Sequence, residues 1–393
     1  MTQAELLAAV EAEIDRLTPE LVSFRRDLHR HPELSWQEKR STAQVVARLE
    51  QAGLAPKALP QGGVVADVND QERFVALRAD LDALPVEDRT GDPWASEVPG
   101  VAHACGHDVH TTALLGAGLA LAAIAPDLAG QVRLLFQPAE EVMPGGALAT
   151  MGAGVLDGAS RIFSVHCDPT IDVGQVGLRE GPLTGAADFL TVELSGSGGH
   201  TSRPHLTEDL TFALGKLVTE LPAVLTRRFD PRAGVSVVWG VVQAGSAANV
   251  IPSSGRASGT VRMLDAVAWA DAERLVTETV AQVLAPYGVA GDVAYVRGVP
   301  PVVNDARAIA ELSAAVATTI GPNAQVSTTQ SLGGEDFAWY LDRVPGAMAR
   351  LGTRTPGGPT YDLHQGDLRV DEGAVAVGAK VLAGAAITAL SAH

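Results

Sequence analysis

The sequence predicts an α/β fold in which a larger, discontinuous domain carries an inserted α+β domain. Three observations support this prediction. The chain has 393 residues, which is more than a single compact core normally holds. Helix and strand patterns alternate at both ends of the chain, as in a mostly parallel sheet flanked by helices. Between them lies a β-α-β-β-α-β pattern, which is typical of a ferredoxin-like domain.

The first region alternates helices with short buried strands. Apolar residues at helical spacing predict helices over residues 3–30, 36–52 and 108–126, the last ended by Pro126. Since ligands of such sheets bind at the carboxyl ends of the strands, polar side chains there are candidate functional groups. Three short apolar runs predict the strands: RFVALRA (73–79), QVRLLFQ (131–137) and RIFSVH (161–166).

The middle region has a different pattern, and it predicts the inserted domain. We assign residues 185–298 to this domain, and residues 1–184 and 299–393 to the larger one. The alternation of helix and strand resumes from residue 305, and a helix over 373–390 closes the chain. The predicted elements of the insert are a strand at 188–196, a helix at 208–224, strands at 234–243 and 256–264, a helix at 266–286 and a strand at 291–298.

Composition and charge exclude several classes of partner. The formal net charge is −17, so the chain lacks the basic surface needed for nucleic acid or for an anionic membrane. The longest apolar run, 113–125, is too short to span a bilayer, and the first residues do not resemble a signal peptide. The two cysteines, Cys105 and Cys167, each lie close to a histidine, which favours thiols in a reducing cytoplasm. We therefore expect a cytoplasmic protein, with Cys167 as a core thiol.

The stretch HACGHDVH, which begins at His103, concentrates donor side chains. Four interpretations of this stretch are open: a metal site, a nucleophilic cysteine, a redox thiol or a chance cluster on a loop. Cys105 and His107 can converge if they lie on an extended turn before a helix that starts near Asp108. Asp108 then either caps that helix or holds a ligand in place. His103 and His110 are expected to support the site or the fold.

The stretch FQPAEE places two adjacent carboxylates after a predicted strand. Pro138 ends the strand, and Glu140 and Glu141 follow it. The pair is either a solvated turn or a functional pair. In a functional pair one carboxylate binds a cation, while its neighbour, with a pKa raised by burial, deprotonates an attacking water.

Other candidate donors lie further along the chain. Asp80 and Asp82 follow the predicted strand at 73–79, and His166 ends the strand at 161–166. His364 lies in a glycine-rich region near the end of the chain. In the inserted domain the stretch GSGGHTSRPH presents His200, with an ordinary basic turn as the alternative.

Eight stretches together resemble the metal-dependent amidohydrolase family of aminoacylases, hippurate hydrolases and auxin-amino-acid-conjugate hydrolases. This family is a branch of the co-catalytic zinc peptidase clan. The resemblance covers almost the whole chain in order, and the combination of HACGHD, PAEE and GGEDF is highly specific. The stretches are HRHPELSWQE, LRADLDALP, HACGHDVHTT, FQPAEE, GGHTSRPH, NVIP, GGEDFAWY and LHQGDLRVDE.

The resemblance implies roles for individual residues. Glu140 matches the general base, and His200 matches a histidine that helps to stabilise the tetrahedral intermediate. Asn249 and Arg262 match residues that hold the substrate carboxylate. The ligand set suits two divalent ions, zinc or manganese, with cobalt or nickel as further candidates. The implied metal ligands are Cys105, His107, Glu141, His166 and His364, and the residues implied to support them are Asp80 and Asp108.

The resemblance also implies a reaction and an assembly. We expect hydrolysis of the amide bond of N-acyl amino acids, with the insert acting as a lid and as a homodimer interface. Peptidases of the clan have histidine where this chain has Arg78 and a bridging aspartate where it has Cys105, which favours the acylamino-acid branch. HQGDLRVDE departs from the usual pattern and leaves substrate preference open. The alternatives are a dipeptidase or carboxypeptidase, and a metal-binding protein without catalysis.

Overall fold

The structure is a computed structural model that describes residues 1–391. Its helices are α1 Gln3–Arg30, α2 Lys39–Gln51, α3 His107–Ala123, α4 Ala147–Gly152, α5 Leu210–Arg228, α6 Ala266–Leu284, α7 Ala306–Thr319, α8 Ala338–Leu341 and α9 Gly373–Ser391. Its strands are β1 Lys57–Ala58, β2 Val64–Val68, β3 Phe74–Asp80, β4 Gln131–Gln137, β5 Ala159–Asp172, β6 Val176–Leu178, β7 Gly181–Pro182, β8 Ala186–Ser195, β9 Gly199–His200, β10 Ser236–Ala244, β11 Val250–Ile251, β12 Ser254–Met263, β13 Gly291–Val299, β14 Val303–Asn304, β15 Gln325–Ser327 and β16 Gly346–Arg354.

The described chain forms two compact units, and both are discontinuous. The sequence predicts an insert over residues 185–298. The first unit comprises Met1–Leu183, Val303–Thr329 and the described part of Asp336–His393, and the second comprises Thr184–Val302 and Gln330–Glu335.

The first unit is built on an eight-stranded sheet in the order β1-β2-β4-β3-β5-β16-β6-β15. Its four central strands, β4, β3, β5 and β16, run parallel to one another. The buried face of α1 packs with α3 and α9 into the core of this unit. The carboxyl ends of the central strands therefore meet at one edge of the sheet, where functional groups of such folds gather.

Local sequence explains the helices that position this edge. Thr2 and Glu5 form a reciprocal capping box that starts α1. In α3, Gly116 and Gly118 allow close packing, because a Cβ atom at Gly118 would lie 2.3 Å from a methyl carbon of Leu134. Most of α3 is therefore buried, and its first turn is fixed against the sheet.

Helix α9 is apolar on all sides. By length and composition alone it could cross a membrane, as no other helix of residues 1–391 could. Its side chains are mostly buried, and they pack against α1, α3 and α7 in the core of the first unit. Burial of this kind is typical of a central helix in a folded core, which explains the composition without a bilayer.

The second unit has the predicted ferredoxin-like topology. Its sheet has the order β10-β12-β8-β13 with all neighbours antiparallel, and α5 and α6 contribute the apolar side chains of its core. Asp188 is buried and accepts hydrogen bonds from Trp269, Tyr295 and the backbone of Gly298. The predicted fold class is confirmed: an α/β unit with a mostly parallel sheet, interrupted by an α+β unit.

Two local predictions need correction. Helix α3 starts at His107 after Gly106, so Asp108 lies inside the first turn and does not cap the helix. Gly106 has φ +85°, and a Cβ atom there would lie 2.8 Å from the sulfur of Cys167. Strand β5 runs to Asp172, so His166 lies within the strand and not at its end.

Candidate metal centre and active site

The candidate ligands lie where the central strands of the first unit end. Cys105 and His107 flank the turn at the start of α3, and Glu141 follows β4. His166 projects from β5, and His364 lies in the loop after β16, where its backbone N–H bonds to the carbonyl of Ala104. Chain segments far apart in sequence thus meet around one point.

The five candidate ligands form a continuous set of donor atoms. The sulfur of Cys105 lies 3.6 Å from Nε2 of His166. Oε1 of Glu141 lies 3.6 Å from Nε2 of His107 and 3.5 Å from Nε2 of His364. Two groups made up only of these five residues have all their donor atoms within 4.8 Å of one another: Cys105, His107 and His166; and Cys105, Glu141 and His364. Because Cys105 belongs to both groups, these residues would hold two cations in one continuous site.

Hydrogen bonds leave the correct histidine nitrogens available. Nδ1 of His107 donates to the carbonyl of Asp82 at 2.9 Å, and Nδ1 of His166 donates to the carbonyl of Cys167 at 2.8 Å. In the neutral form of each ring this places the lone pair on Nε2, the atom that faces the other ligands. Nε2 of His107 and Oε1 of Glu141 are buried without a hydrogen-bond partner. Such atoms are costly to bury unless something binds them, so the residues fit a cation.

The electrostatics of the site also favour a cation. Burial, together with the charges of Glu141 and Glu140, raises the pKa of the Cys105 thiol well above its ordinary value. Burial and the nearby cation Arg350 lower the pKa of His166, which therefore stays neutral. Burial disfavours a charged His107, but the carboxylates around it raise its pKa to about 10. A thiolate at Cys105 thus requires a positive charge beside it, which argues against a free cysteine nucleophile.

Asp82 organises the loop that carries Glu140 and Glu141. Its two carboxylate oxygens accept the backbone N–H of Glu140 at 3.0 Å and of Glu141 at 2.9 Å. Ser35 donates its hydroxyl to the same carboxylate at 2.7 Å. The sequence indicates Asp82 only as a donor near the end of a strand and predicts no role for it. Its position two residues after β3 was the only available signal, because a carboxylate that binds backbone N–H groups has no sequence pattern.

Asp80 and Asp108 lie behind the ligands and hold their neighbours. Asp80 accepts from Nδ1 of His110 at 2.7 Å and pairs with Arg78, and it lies 3.8 Å from Nδ1 of His107. Since Nε2 of His110 accepts the backbone N–H of Cys167, both nitrogens of this ring are used within the protein. His110 therefore supports the site rather than binding a cation.

Asp108 forms a separate buried group on the other side of the helix start. It pairs with Arg25 at 2.7 Å and with Nδ1 of His29 at 2.8 Å. These contacts tie the end of α1 to the first turn of α3, next to His107. His103 is buried near this group, where burial lowers its pKa to about 4.

Two of the three candidate residues of the second unit, His200 and Asn249, lie close together. His200 pairs with Val250 between β9 and β11, next to Asn249, whose carbonyl accepts the N–H of Thr201. Arg262 lies on β12, where it donates to the carbonyl of Leu332 at 2.6 Å. His200 is exposed, and its Nδ1 accepts the hydroxyl of Ser202 at 2.9 Å.

Comparison with known proteins identifies the family of this chain and several relatives. Residues 76–388 match the profile of the family described as peptidase family M20/M25/M40. A Rhodococcus jostii protein whose name is that of a glutamate–cysteine ligase is 50% identical over 364 residues, or 92% of this chain. The match covers only 46% of that relative, so the chain spans less than half of its length.

Other relatives match over almost their whole length. A Bacillus subtilis N-acetylcysteine deacetylase is 36% identical over 94% of this chain and 97% of its own. A thermostable carboxypeptidase from Saccharolobus solfataricus is 32% identical over 95% and 96%. Among solved structures, a B. subtilis dinuclear metal-binding peptidase of the M20 family has a TM-score of 0.84 at 33% identity, covering 96% of this chain and 99% of that one.

Proposed function

Because the chain belongs to peptidase family M20/M25/M40 and is a metal-dependent amidohydrolase, we propose that it hydrolyses the amide bond of N-acyl amino acids. The products are a carboxylate and a free amino acid. The observation that carries the proposal is the donor set around Cys105 and Glu141, with Glu140 as the adjacent carboxylate. Cys105, His107 and His166 are buried, Glu141 is half-buried and His364 is exposed. The N-acetylcysteine deacetylase among the relatives supports an acyl group on the nitrogen of an amino acid.

We propose that Cys105, His107, Glu141, His166 and His364 hold two divalent ions. When bound, the ions polarise the acyl carbonyl and make water a stronger acid. Sulfur and imidazole ligands favour zinc, whereas the added carboxylate also suits manganese, cobalt or nickel. The solved M20 relative is dinuclear, which supports the number of ions but leaves the metal open.

In this mechanism Glu140 takes a proton from the attacking water and delivers it to the leaving nitrogen. Asp82 holds the backbone of Glu140 and so keeps the carboxylate at the site. His200 donates to the developing oxyanion, and Asn249 and Arg262 bind the substrate carboxylate. These three roles come from the family resemblance. The side chain of His200 is exposed, which supports contact with a ligand at the surface of its unit.

The proposed assembly is a homodimer through the second unit. Strand β10 lies at the edge of the sheet and spans nine residues. Val238, Val241 and Val242 are exposed on it. An exposed apolar edge strand offers unpaired backbone groups to another chain, which supports pairing of two copies. A cytoplasmic location stays a prediction.

One alternative has a specific observation in its favour. The carboxypeptidase among the relatives is matched over nearly its full length, so hydrolysis of peptide bonds at a free carboxyl terminus is the second candidate. The name of the Rhodococcus relative carries no proposal, because the match covers less than half of that protein.

The test is a substrate panel on metal-reconstituted protein. The protein is stripped of metal and then loaded separately with zinc, manganese, cobalt or nickel. Turnover of N-acetyl, N-benzoyl and long-chain acyl amino acids and of dipeptides is followed by mass spectrometry. We expect N-acyl amino acids to be the best substrates. Faster turnover of dipeptides would favour the peptidase, and no turnover with any metal would refute the proposal.

A further inference from the structure

Left-handed backbone conformations occur beside the candidate active site. Within residues 1–391, four residues other than glycine have positive φ: Trp36 (66°), Asn69 (71°), Ala139 (53°) and His364 (62°). Ala139 directly precedes Glu140, and His364 is itself a candidate ligand. A side chain makes this conformation unfavourable, so it persists only where the surroundings hold it.

One buried carboxylate holds two of these residues. Oε1 of Glu38 accepts the backbone N–H of Ala139 at 2.8 Å and that of Trp36 at 3.0 Å. Glu38 is 5% exposed and Ala139 is fully buried. The loop before α2 is thereby joined to the loop after β4.

Glu38 and Asp82 together bind three consecutive backbone N–H groups. Glu38 takes that of Ala139, and Asp82 takes those of Glu140 and Glu141. Side chains rather than a regular backbone ladder therefore set the path of this loop. The direction in which Glu140 and Glu141 leave the backbone depends on these acceptors.

We propose that Glu38 is a positioning residue for the reaction. Its Oε1 keeps Ala139 in the left-handed conformation, and this aims Glu140 at the substrate and Glu141 at the cations. The proposal rests on the roles given to Glu140 and Glu141 under the proposed function. It adds a residue that contacts neither the substrate nor a cation.

The contacts of Glu38 argue against a role limited to the helix that follows it. Glu38 immediately precedes α2, but its side chain makes no capping hydrogen bond to that helix. A second carboxylate, Glu33, binds the start of the helix instead, accepting the N–H of Arg40 at 2.9 Å and of Ser41 at 2.8 Å. Glu33 is thus a matched control. It is also a glutamate and lies near the start of the same helix, but its carboxylate does not bind the loop of Glu140.

The test compares Glu38→Ala, Glu38→Gln and Glu33→Ala in the full-length protein. Alanine removes the acceptor, and a misplaced base is expected to lower kcat about 10²-fold with little change in KM. Glutamine keeps a carbonyl oxygen at the same place, so Glu38→Gln should retain kcat near that of the wild type. Glu33→Ala should lower the melting temperature and leave kcat unchanged. Glu38→Asp, which is too short to reach both N–H groups, replaces the alanine variant if that variant does not fold.

A second measurement is independent of turnover. Amide hydrogen exchange of the metal-free protein should be faster at Ala139 in Glu38→Ala and unchanged in Glu38→Gln and Glu33→Ala. Wild-type kcat in Glu38→Ala, or an equal loss in Glu38→Gln or Glu33→Ala, would overturn the proposal. Absence of turnover in the wild type with every metal would refute the proposed function instead, and the exchange data would still report whether Glu38 holds the loop.

Discussion

The candidate residues of the two units differ in how far the fold constrains them. In the first unit, His107 is fully buried and its ring is oriented by a carbonyl, and Glu141 has its backbone bound by Asp82. In the second unit, the side chain of His200 is exposed, and its hydrogen bonds are to Ser202 in its own loop. Folding of the first unit alone therefore prepares its site, whereas an exposed histidine acquires a fixed position only when a ligand or another surface covers it.

The comparison predicts the largest loss when the proposed base of the first unit is removed. Glu140→Gln keeps the size of the side chain but cannot accept a proton, and kcat should fall about 10³–10⁴-fold. Bound metal, measured by elemental analysis, should stay at the wild-type level because the proposed ligands are intact. Turnover close to that of the wild type with full metal content would show that another group is the base.

Removal of the histidine of the second unit should have a smaller effect. His200→Ala removes a donor to the oxyanion, and kcat should fall about 10²-fold while metal content is unchanged. The folded unit should also keep its melting temperature, since the side chain is exposed and packs in no core. His205→Ala, an exposed histidine of the same loop, is the control and should behave as the wild type. Equal losses in the two variants would assign the effect to the loop.

Buried carboxylates of the two units offer a direct comparison. Asp82→Asn removes an acceptor from the loop of Glu141, and metal affinity should fall about 10–100-fold, as when other residues that orient ligands are changed. Asp188→Asn in the second unit removes an equally buried carboxylate that bonds to Trp269 and Tyr295. It should lower stability and leave metal affinity intact, as isothermal titration and thermal unfolding would show. A similar loss of affinity in both variants would contradict the division between the units.

The sequence predicted the candidate ligands and the candidate base better than the residues that hold them in place. Cysteine, histidine and adjacent glutamates are unusual enough that their types and positions indicate a metal centre, and the structure brings Cys105 and His364 within reach of each other. The elements of the second unit were also predicted, because alternating strands and amphipathic helices have clear patterns. The roles of the individual residues stay predictions until the variants are measured.

The residues that hold the site in place could not be predicted, because their roles depend on contacts between distant segments of the chain. Glu38 and Asp82 act through backbone N–H groups, which every residue has, so no residue type marks the partner. Strand β16 was not predicted as a separate strand, since GAMARLGTR is buried on both faces and lacks alternation. The start of α3 was misplaced by one residue because Gly106, not a polar residue, precedes it.

The smallest effect on turnover, and a distinct effect on stability, is expected for Glu38→Gln. Burial raises the pKa of Glu38 to about 7 in the folded protein, above the ordinary value of 4.5. The folded state then binds a proton more tightly than the unfolded state, so wild-type stability falls as the pH rises from about 4.5 to 7. Glutamine does not titrate. The free energy of unfolding of the variant relative to the wild type should therefore rise over this range, by at most about 3 kcal/mol.

Chemical unfolding of the metal-free proteins at pH 5 and pH 8 measures this difference. Glu193→Gln, at an exposed position of the second unit, is the control. It measures how the loss of a surface carboxylate changes stability at the two pH values. If the free energy of unfolding relative to the wild type rises with pH only for the variant at position 38, the two units differ in the electrostatics of their carboxylates as well as in geometry. A flat difference at both positions would mean that the Glu38 carboxylate is as well solvated as a surface group, and the tight loop around Ala139 would then need another explanation.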